Sequence, residues 1–215
     1  MTIEKNNSLL RHIIILSVLM LAIWVIVFPM AQVGGVLYNY GDWVNITIGI
    51  TLLLYVSLVK TMRDNVLKSF KWRDFLKAKN ILLVLAAVLL IYFLRDILMQ
   101  IDPFTSRTQK AMAKYNLYLA GSYSMVTTVG ILTIIPLWEE LFFREVLIGN
   151  LGKFIPVWVC VALSIGVFAL GHLNYPLFAL VAGLILCIVY ILTKSVAATF
   201  LIHALWDINA IIHLF

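Results

Sequence analysis

The chain has 215 residues, of which 63% are apolar and 12% charged, with a formal net charge of +6 at pH 7. Its mean hydropathy of +1.04 excludes a water-soluble globular domain. We therefore expect an integral membrane protein. Because the sequence lacks the alternating pattern of a β-barrel, the predicted fold class is all-α, a polytopic helical bundle.

Long uncharged stretches predict about seven transmembrane helices, since one crossing needs roughly 20 residues. In chain order the predicted spans are residues 12–41, 43–59, 80–94, 119–138, the two halves of 154–193, and 195–214. The stretch 154–193 is too long for one crossing, and Asn174, Tyr175 and Pro176 supply the break. The whole chain, residues 1–215, is predicted to form a single membrane domain.

The connection between the second and third spans is the most basic part of the chain. Its basic residues are Lys60, Arg63, Lys68, Lys71, Arg73, Lys77 and Lys79. Such a segment is typical of a cytoplasmic interfacial helix that contacts anionic membrane lipid, and no nucleic-acid partner is expected. The N-terminus is then cytoplasmic too, and residues 100–118 form a polar connection on the opposite side. We expect a multi-pass protein of the cell membrane, most economically a bacterial cytoplasmic membrane.

Ionised residues are costly inside a bilayer, so the charged cluster after Pro136 predicts chemistry. Pro136 starts or kinks a helix and places Glu139 and Glu140 in the next turn. On a helix Glu140 and Arg144 share a face, while Glu139 is displaced by about 100°. Glu140 is therefore expected to pair with Arg144 and support the site, whereas Glu139 is the better general base. The alternative is a buried ion-pair network that only fixes helix packing.

Two histidines lie in the same apolar third of the chain as the glutamates. His172 ends the fifth predicted span, and His203 lies four residues before Asp207 on the last span, hence on one helix face. One carboxylate and two imidazoles, with a second carboxylate to orient one imidazole, can activate water for attack on an amide. The same residues, Glu139, His172 and His203, could instead bind zinc.

The two cysteines and the other two histidines are interpreted without a catalytic role. Cys160 and Cys187 lie in apolar spans and are interpreted as packing residues. His12 and His213 lie at span ends and are interpreted as interfacial.

Three ordered motifs make the chain resemble the CPBP family (CAAX protease and bacteriocin-processing, or Abi) of intramembrane endopeptidases. The family's Glu-Glu-x-x-x-Arg motif is met by residues 139–144, its Phe-x-x-x-His motif by Phe168 and His172, and its His-x-x-x-Asn/Asp motif by His203 and Asp207. The resemblance covers about residues 119–210. It implies that residues 119–215 form the catalytic core, while residues 1–118 contribute the N-terminal spans and the basic cytoplasmic loop.

The resemblance also implies roles for the motif residues. Glu139 and His172 would activate the water, and His203 with residue 207 would stabilise the oxyanion. Because an ionised aspartate cannot donate a hydrogen bond, we expect Asp207 to orient His203 and keep it cationic, so that His203 is the donor. Without a His-Glu-x-x-His pattern, a metal-free site is favoured and no cofactor is expected, with zinc as the alternative.

The predicted function is hydrolysis of a peptide bond in a membrane-associated peptide or protein, such as a bacteriocin or pheromone precursor. Two alternatives stay open: a bacteriocin self-immunity protein and a non-enzymatic membrane scaffold. The predicted partners are membrane lipid and a peptide or protein substrate, and the sequence does not specify an oligomeric state.

Overall fold

The structure is a computed structural model that describes residues 3–32, 41–102, 125–172 and 175–212. Within these ranges the chain is helical and contains no β-strand, which confirms the all-α fold. The helices in chain order are α1 Ile3–Gln32, α2 Gly41–Leu58, α3 Lys60–Ser69, α4 Trp72–Phe75, α5 Ala78–Ile101, α6 Met125–Lys153, α7 Val157–Gly171, α8 Pro176–Thr193 and α9 Val196–Ile212.

A helix occupies each of the seven predicted spans, but the helices differ in their ability to cross a bilayer. Among the described residues, three helices are long and apolar enough to do so alone: Ala78–Leu98, Met125–Lys153 and Pro176–Thr193. The bent pair α2 and α3 raises the number to four if it counts as one span. Helices α7 and α9 are shorter than a full crossing of roughly 20 residues. A helical membrane bundle is therefore confirmed, whereas the count of seven spans stays a prediction.

The predicted break in the stretch 154–193 is confirmed, because α7 ends at Gly171 and α8 begins at Pro176. Proline suits the first position of a helix, where its missing N–H has no intrahelical partner to lose. Most of the predicted polar connection 100–118 and the C-terminal His213 lie outside the described residues.

The basic segment forms α3 and α4, which turn away from α2 by 106°. Val59 has an extended backbone between α2 and α3, and this breaks the helix. One face of α3 buries Met62 and Val66 in the core, while Leu67 and Trp72 are exposed. This division into a buried face and a basic, partly apolar exposed face is the pattern of an interfacial helix.

Helix α6 carries the glutamate pair, and its backbone is not uniformly α-helical. It has π-helical stretches at Gly130–Ile134 and Leu141–Asn150, on either side of the α-helical turns Ile135–Glu140. Proline has no N–H for the intrahelical ladder, and the adjoining π-turns let α6 continue through Pro136. Pro136 therefore does not begin this helix, but the glutamates do follow it within the next turn, as predicted.

The residues of the three motifs lie between two clusters of buried apolar side chains. The larger cluster joins α1, α2 and α3 to α6, α7 and α8, and the smaller one joins α5, α8 and α9. Helix α8 contributes to both clusters, so it packs between α7, which ends next to His172, and α9, which carries His203. The motif residues meet where these helices and α6 converge.

Candidate functional site

Helix α6 buries three charged side chains at the centre of the bundle. Glu140 and Arg144 are fully buried, and Glu139 is 9% exposed. The predicted pairing of Glu140 with Arg144 is present, with 3.1 Å between Glu140 Oε2 and Arg144 Nε. Arg144 also donates to the Ser164 hydroxyl on α7 at 3.2 Å. Burial of this pair is compatible with stability only because each charge faces a partner.

Glu140 also contacts the third motif. Its Oε1 lies 2.9 Å from Nδ1 of His203 on α9. Since an ionised carboxylate only accepts hydrogen bonds, Nδ1 must carry the hydrogen and donate it. Glu140 therefore joins Arg144 to His203, and it fixes the orientation of the imidazole ring.

The predicted contact between Asp207 and His203 is a long ion pair in the structure, without a hydrogen bond. The two residues do share a face of α9, but Asp207 Oδ1 is 4.0 Å from His203 Nε2, beyond hydrogen-bond distance. The short aspartate side chain stops before reaching the ring, whereas the longer Glu140 reaches it from the facing helix. Glu140 therefore makes the hydrogen bond that fixes the His203 ring, and the orienting role of Asp207 stays a prediction.

The two adjacent glutamates have different surroundings, as their positions on the helix predicted. Glu139 Oε2 lies 3.7 Å from His203 Nε2, too far for a hydrogen bond. Among the described residues this buried oxygen has no hydrogen-bond partner. A buried carboxylate oxygen without a partner is costly unless water or a ligand reaches it. Glu139 therefore retains an acceptor for another molecule, whereas Glu140 is engaged by two side chains.

His172 is held by a backbone contact at the end of α7. Its Nδ1 lies 2.8 Å from the carbonyl oxygen of Phe168, one turn earlier. A carbonyl only accepts, so Nδ1 carries the hydrogen and Nε2 of the neutral ring carries the lone pair. The Phe-x-x-x-His spacing thus presents a histidine with a basic Nε2 atom.

The Phe168 ring contacts both histidines. Its centroid is 4.4 Å from that of His172 and 5.8 Å from that of His203. The Arg144 guanidinium lies 5.3 Å from the same ring, in a cation–π contact. Gly183 on α8 lies close enough that a Cβ there would be 3.2 Å from the ring. Phe168 therefore supports the site through both its ring and its carbonyl group.

A small cavity of about 40 Å³ opens between the motif residues and α8. Its polar lining comes from His172, His203 and Asp207, and its apolar lining includes Phe178 and Trp206. This volume has room for one or two water molecules, which require polar partners of the kind found here. The cavity thus places a site for water beside two imidazoles and the Asp207 carboxylate, and Glu139 adjoins it through His203 rather than lining it.

A zinc site requires several donor side chains that converge on one point. In the described part of the chain, no three His, Cys, Asp or Glu side chains converge in a group that could hold a metal ion. The proposed zinc ligands Glu139, His172 and His203 therefore do not form such a group.

Sequence reasoning missed several neighbours of the site. Tyr175 packs its ring 5.5 Å from that of His172, and Trp206 packs 4.5 Å from Phe178. Ser164 supports Arg144 from α7. These are ordinary residues of apolar helices, so no local signal in the sequence distinguishes them. At Tyr175, directly before Pro176, the sequence predicts only a break between two helices.

The helices and the buried glutamate–histidine cluster define a class, the helical membrane proteins with a polar site inside the bundle. Within it, residues 121–209 match the Rce1-like family model, described as type II CAAX prenyl endopeptidase Rce1-like. The match spans all three motifs and confirms the resemblance to the CAAX-protease family. It supports a membrane peptidase in general. Comparison with curated proteins and with solved structures gave no significant match.

Proposed function

We propose that this protein is an intramembrane endopeptidase that hydrolyses a peptide bond in a membrane-associated peptide or protein. The family match supports a CAAX-type peptidase. The observation that carries the proposal is the buried Glu139 carboxylate oxygen, which has no hydrogen-bond partner among the described residues and lies beside His203. Two imidazoles and a cavity with room for water complete the groups needed for amide hydrolysis.

The first proposed step is attack by water on the substrate carbonyl carbon. Glu139 accepts one water proton as the oxygen–carbon bond forms, and His172 accepts a hydrogen bond from the same water through Nε2. The carbonyl π electrons move to the oxygen, which gives a tetrahedral oxyanion. This division of roles is the one that the family resemblance implies. The engagement of His172 Nδ1 by Phe168 supports it, because it leaves Nε2 to accept.

The second step is collapse of the tetrahedral species. The oxyanion electrons re-form the carbonyl, the carbon–nitrogen bond breaks, and the proton held by Glu139 passes to the leaving amine. The products are a new carboxyl end and a new amino end, and Glu139 is again ionised. No external reactant other than water is needed.

His203 is proposed to stabilise the oxyanion by donating from Nε2. Because Nδ1 already donates to Glu140, this requires the doubly protonated imidazolium, which the nearby carboxylates of Glu139, Glu140 and Asp207 favour. Glu140 fixes the ring through Nδ1 at 2.9 Å, so the donor is positioned before the substrate binds. Preorganised donors of this kind contribute about 3–4 kcal/mol to transition-state stabilisation. Asp207, 4.0 Å from Nε2, is proposed to contact the substrate or its water, because it lines the cavity.

The basic segment is proposed to hold the protein against anionic lipid headgroups at the cytoplasmic face, as the positive-inside rule predicts. Lys68 and Lys71 are exposed there, and so is the Trp72 side chain. Lys77 donates to Asp74 at 2.6 Å, and this hydrogen bond lowers the pKa of the Asp74 carboxyl. One basic charge of the segment is thus partly neutralised within the protein, and the others face outward.

The function is tested by comparing the membrane and secreted peptides of cells that express the parent protein or the Glu139→Gln variant. A peptidase predicts cleavage products that disappear in the variant. The matched control is Asp96→Asn, the same chemical change at a carboxylate whose side chain is 80% exposed. Identical peptides in all three cultures would instead favour a scaffold. A bacteriocin substrate would be recognised by its cleaved leader, and an immunity role by the resistance of the cells.

A further inference from the structure

Asp102 is a buried carboxylate that the proposed mechanism does not use. It is 1% exposed and follows the last residue of α5. Its backbone is extended, as expected for a residue that precedes a proline in the sequence. Its Oδ2 accepts a hydrogen bond from the backbone N–H of Leu177 at 3.0 Å.

Leu177 is the second residue of α8, so Asp102 caps this helix from a distant part of the chain. Tyr175 occupies the N-cap position but makes no side-chain cap, and Pro176 has no N–H to donate. The first turn of a helix has free N–H groups and a partial positive charge, both of which favour a carboxylate. A residue next to the helix would normally supply this cap. Here Asp102, at the end of α5, supplies it to α8.

The capped turn adjoins the proposed catalytic residues. Tyr175 donates its backbone N–H to the His172 carbonyl at 2.9 Å, and the two rings pack together. Phe178 and Ala179 in the same turn line the cavity that contains His172 and Asp207. A shift of the first turn of α8 would therefore move both the ring beside His172 and one wall of the cavity.

We infer that Asp102 is a positioning residue for the reaction: by capping α8 through Leu177 it holds Tyr175 and the cavity wall in register with His172. This inference rests on the proposed function. It predicts that Asp102 affects the rate of the chemical step rather than substrate affinity, because it contacts neither the substrate nor the reacting atoms.

The test compares Asp102→Ala, Asp102→Asn and the control Asp96→Ala in a purified cleavage assay, with rates expressed per folded protein. Loss of a cap predicts a kcat roughly tenfold lower for Asp102→Ala at nearly unchanged KM. Asparagine retains a carbonyl acceptor, so Asp102→Asn is expected to restore most of kcat. Asp96→Ala is expected to match the parent. An unchanged kcat for Asp102→Ala, or no rescue by asparagine, would overturn the inference.

Hydrogen exchange gives a second readout that needs no substrate. The amide of Leu177 should exchange faster in Asp102→Ala than in the parent, and Asp102→Asn should restore protection. If Asp102→Ala does not fold, Asp102→Glu replaces it, because the longer side chain keeps the charge but displaces the acceptor. Its kcat is then expected below that of Asp102→Asn, and the reverse order would overturn the inference. An inactive parent would refute the proposed peptidase, whereas an active parent with unchanged Leu177 exchange would refute the cap alone.

Discussion

His203 donates from Nδ1 to Glu140 at 2.9 Å, which links the third motif to the first across two helices. The second residue of the glutamate pair therefore does more than neutralise Arg144, since it also sets the direction of the proposed oxyanion donor. Its neighbour Glu139 is left with a buried oxygen that is unpartnered within the described residues. The two glutamates thus have the different surroundings that the proposed roles require, support for Glu140 and water activation for Glu139.

The first prediction concerns the coupling of Glu140 to His203. Removing the donor, in His203→Ala, is expected to lower kcat by about 10²–10³-fold with little change in KM. If Glu140 acts by orienting His203, adding Glu140→Gln to His203→Ala should lower the kcat of the folded enzyme little further. Asp207→Asn should be milder than Glu140→Gln. Additive losses in the double variant would contradict the orienting role.

The second prediction concerns stability. Arg144→Ala leaves the buried Glu140 without its ionic partner and should lower the free energy of unfolding by about 3–5 kcal/mol. Glu139→Gln should leave it nearly unchanged, because among the described residues Glu139 Oε2 accepts no hydrogen bond and only approaches His203 Nε2 at 3.7 Å. Both variants can be followed by thermal unfolding in one detergent. Equal destabilisation would show that Glu139 belongs to the same structural network.

The third prediction concerns metal dependence. Because Glu139 and His172 are proposed to activate water directly, cleavage should persist after prolonged treatment with a strong zinc chelator. Elemental analysis of the purified protein is the independent measurement. Stoichiometric zinc, together with chelator inhibition that zinc reverses, would instead make Glu139, His172 and His203 candidate ligands.

The fourth prediction concerns the basic segment. Replacing Lys68 and Lys71 by glutamine should weaken binding of anionic lipid roughly thirtyfold, since each basic residue near such a surface contributes about 1 kcal/mol and the two together about 2 kcal/mol. Native mass spectrometry with anionic and zwitterionic lipids measures this effect, and the zwitterionic lipid is the control. Equal loss for both lipids would indicate a general packing defect.

Features that depend on local spacing could be predicted from the sequence. The pairing of Glu140 with Arg144 follows from a separation of one helical turn, and the end of α7 follows from Pro176. The three motifs also identified which residues would be brought together. The first two features have physical causes that act over a few residues, and the third is given by the motifs of a family.

Contacts between distant helices could not be predicted in this way. Glu140 and His203 are 63 residues apart, and Asp102 and Leu177 are 75 apart. Such contacts depend on how whole helices pack, which periodicity does not encode. Asp207 and His203 do form the predicted pair on one helix face, but at 4.0 Å, because sharing a helix face does not guarantee that a short side chain reaches hydrogen-bond distance.

The most direct test of the account is the turnover of purified Glu139→Gln on a peptide that the parent protein cleaves, in the same lipid environment. We expect cleavage to be abolished while thermal unfolding stays close to that of the parent, because the variant loses the base but keeps the Glu140–Arg144 pair. A folded Glu139→Gln protein with the activity of the parent would contradict the central claim that Glu139 activates the water.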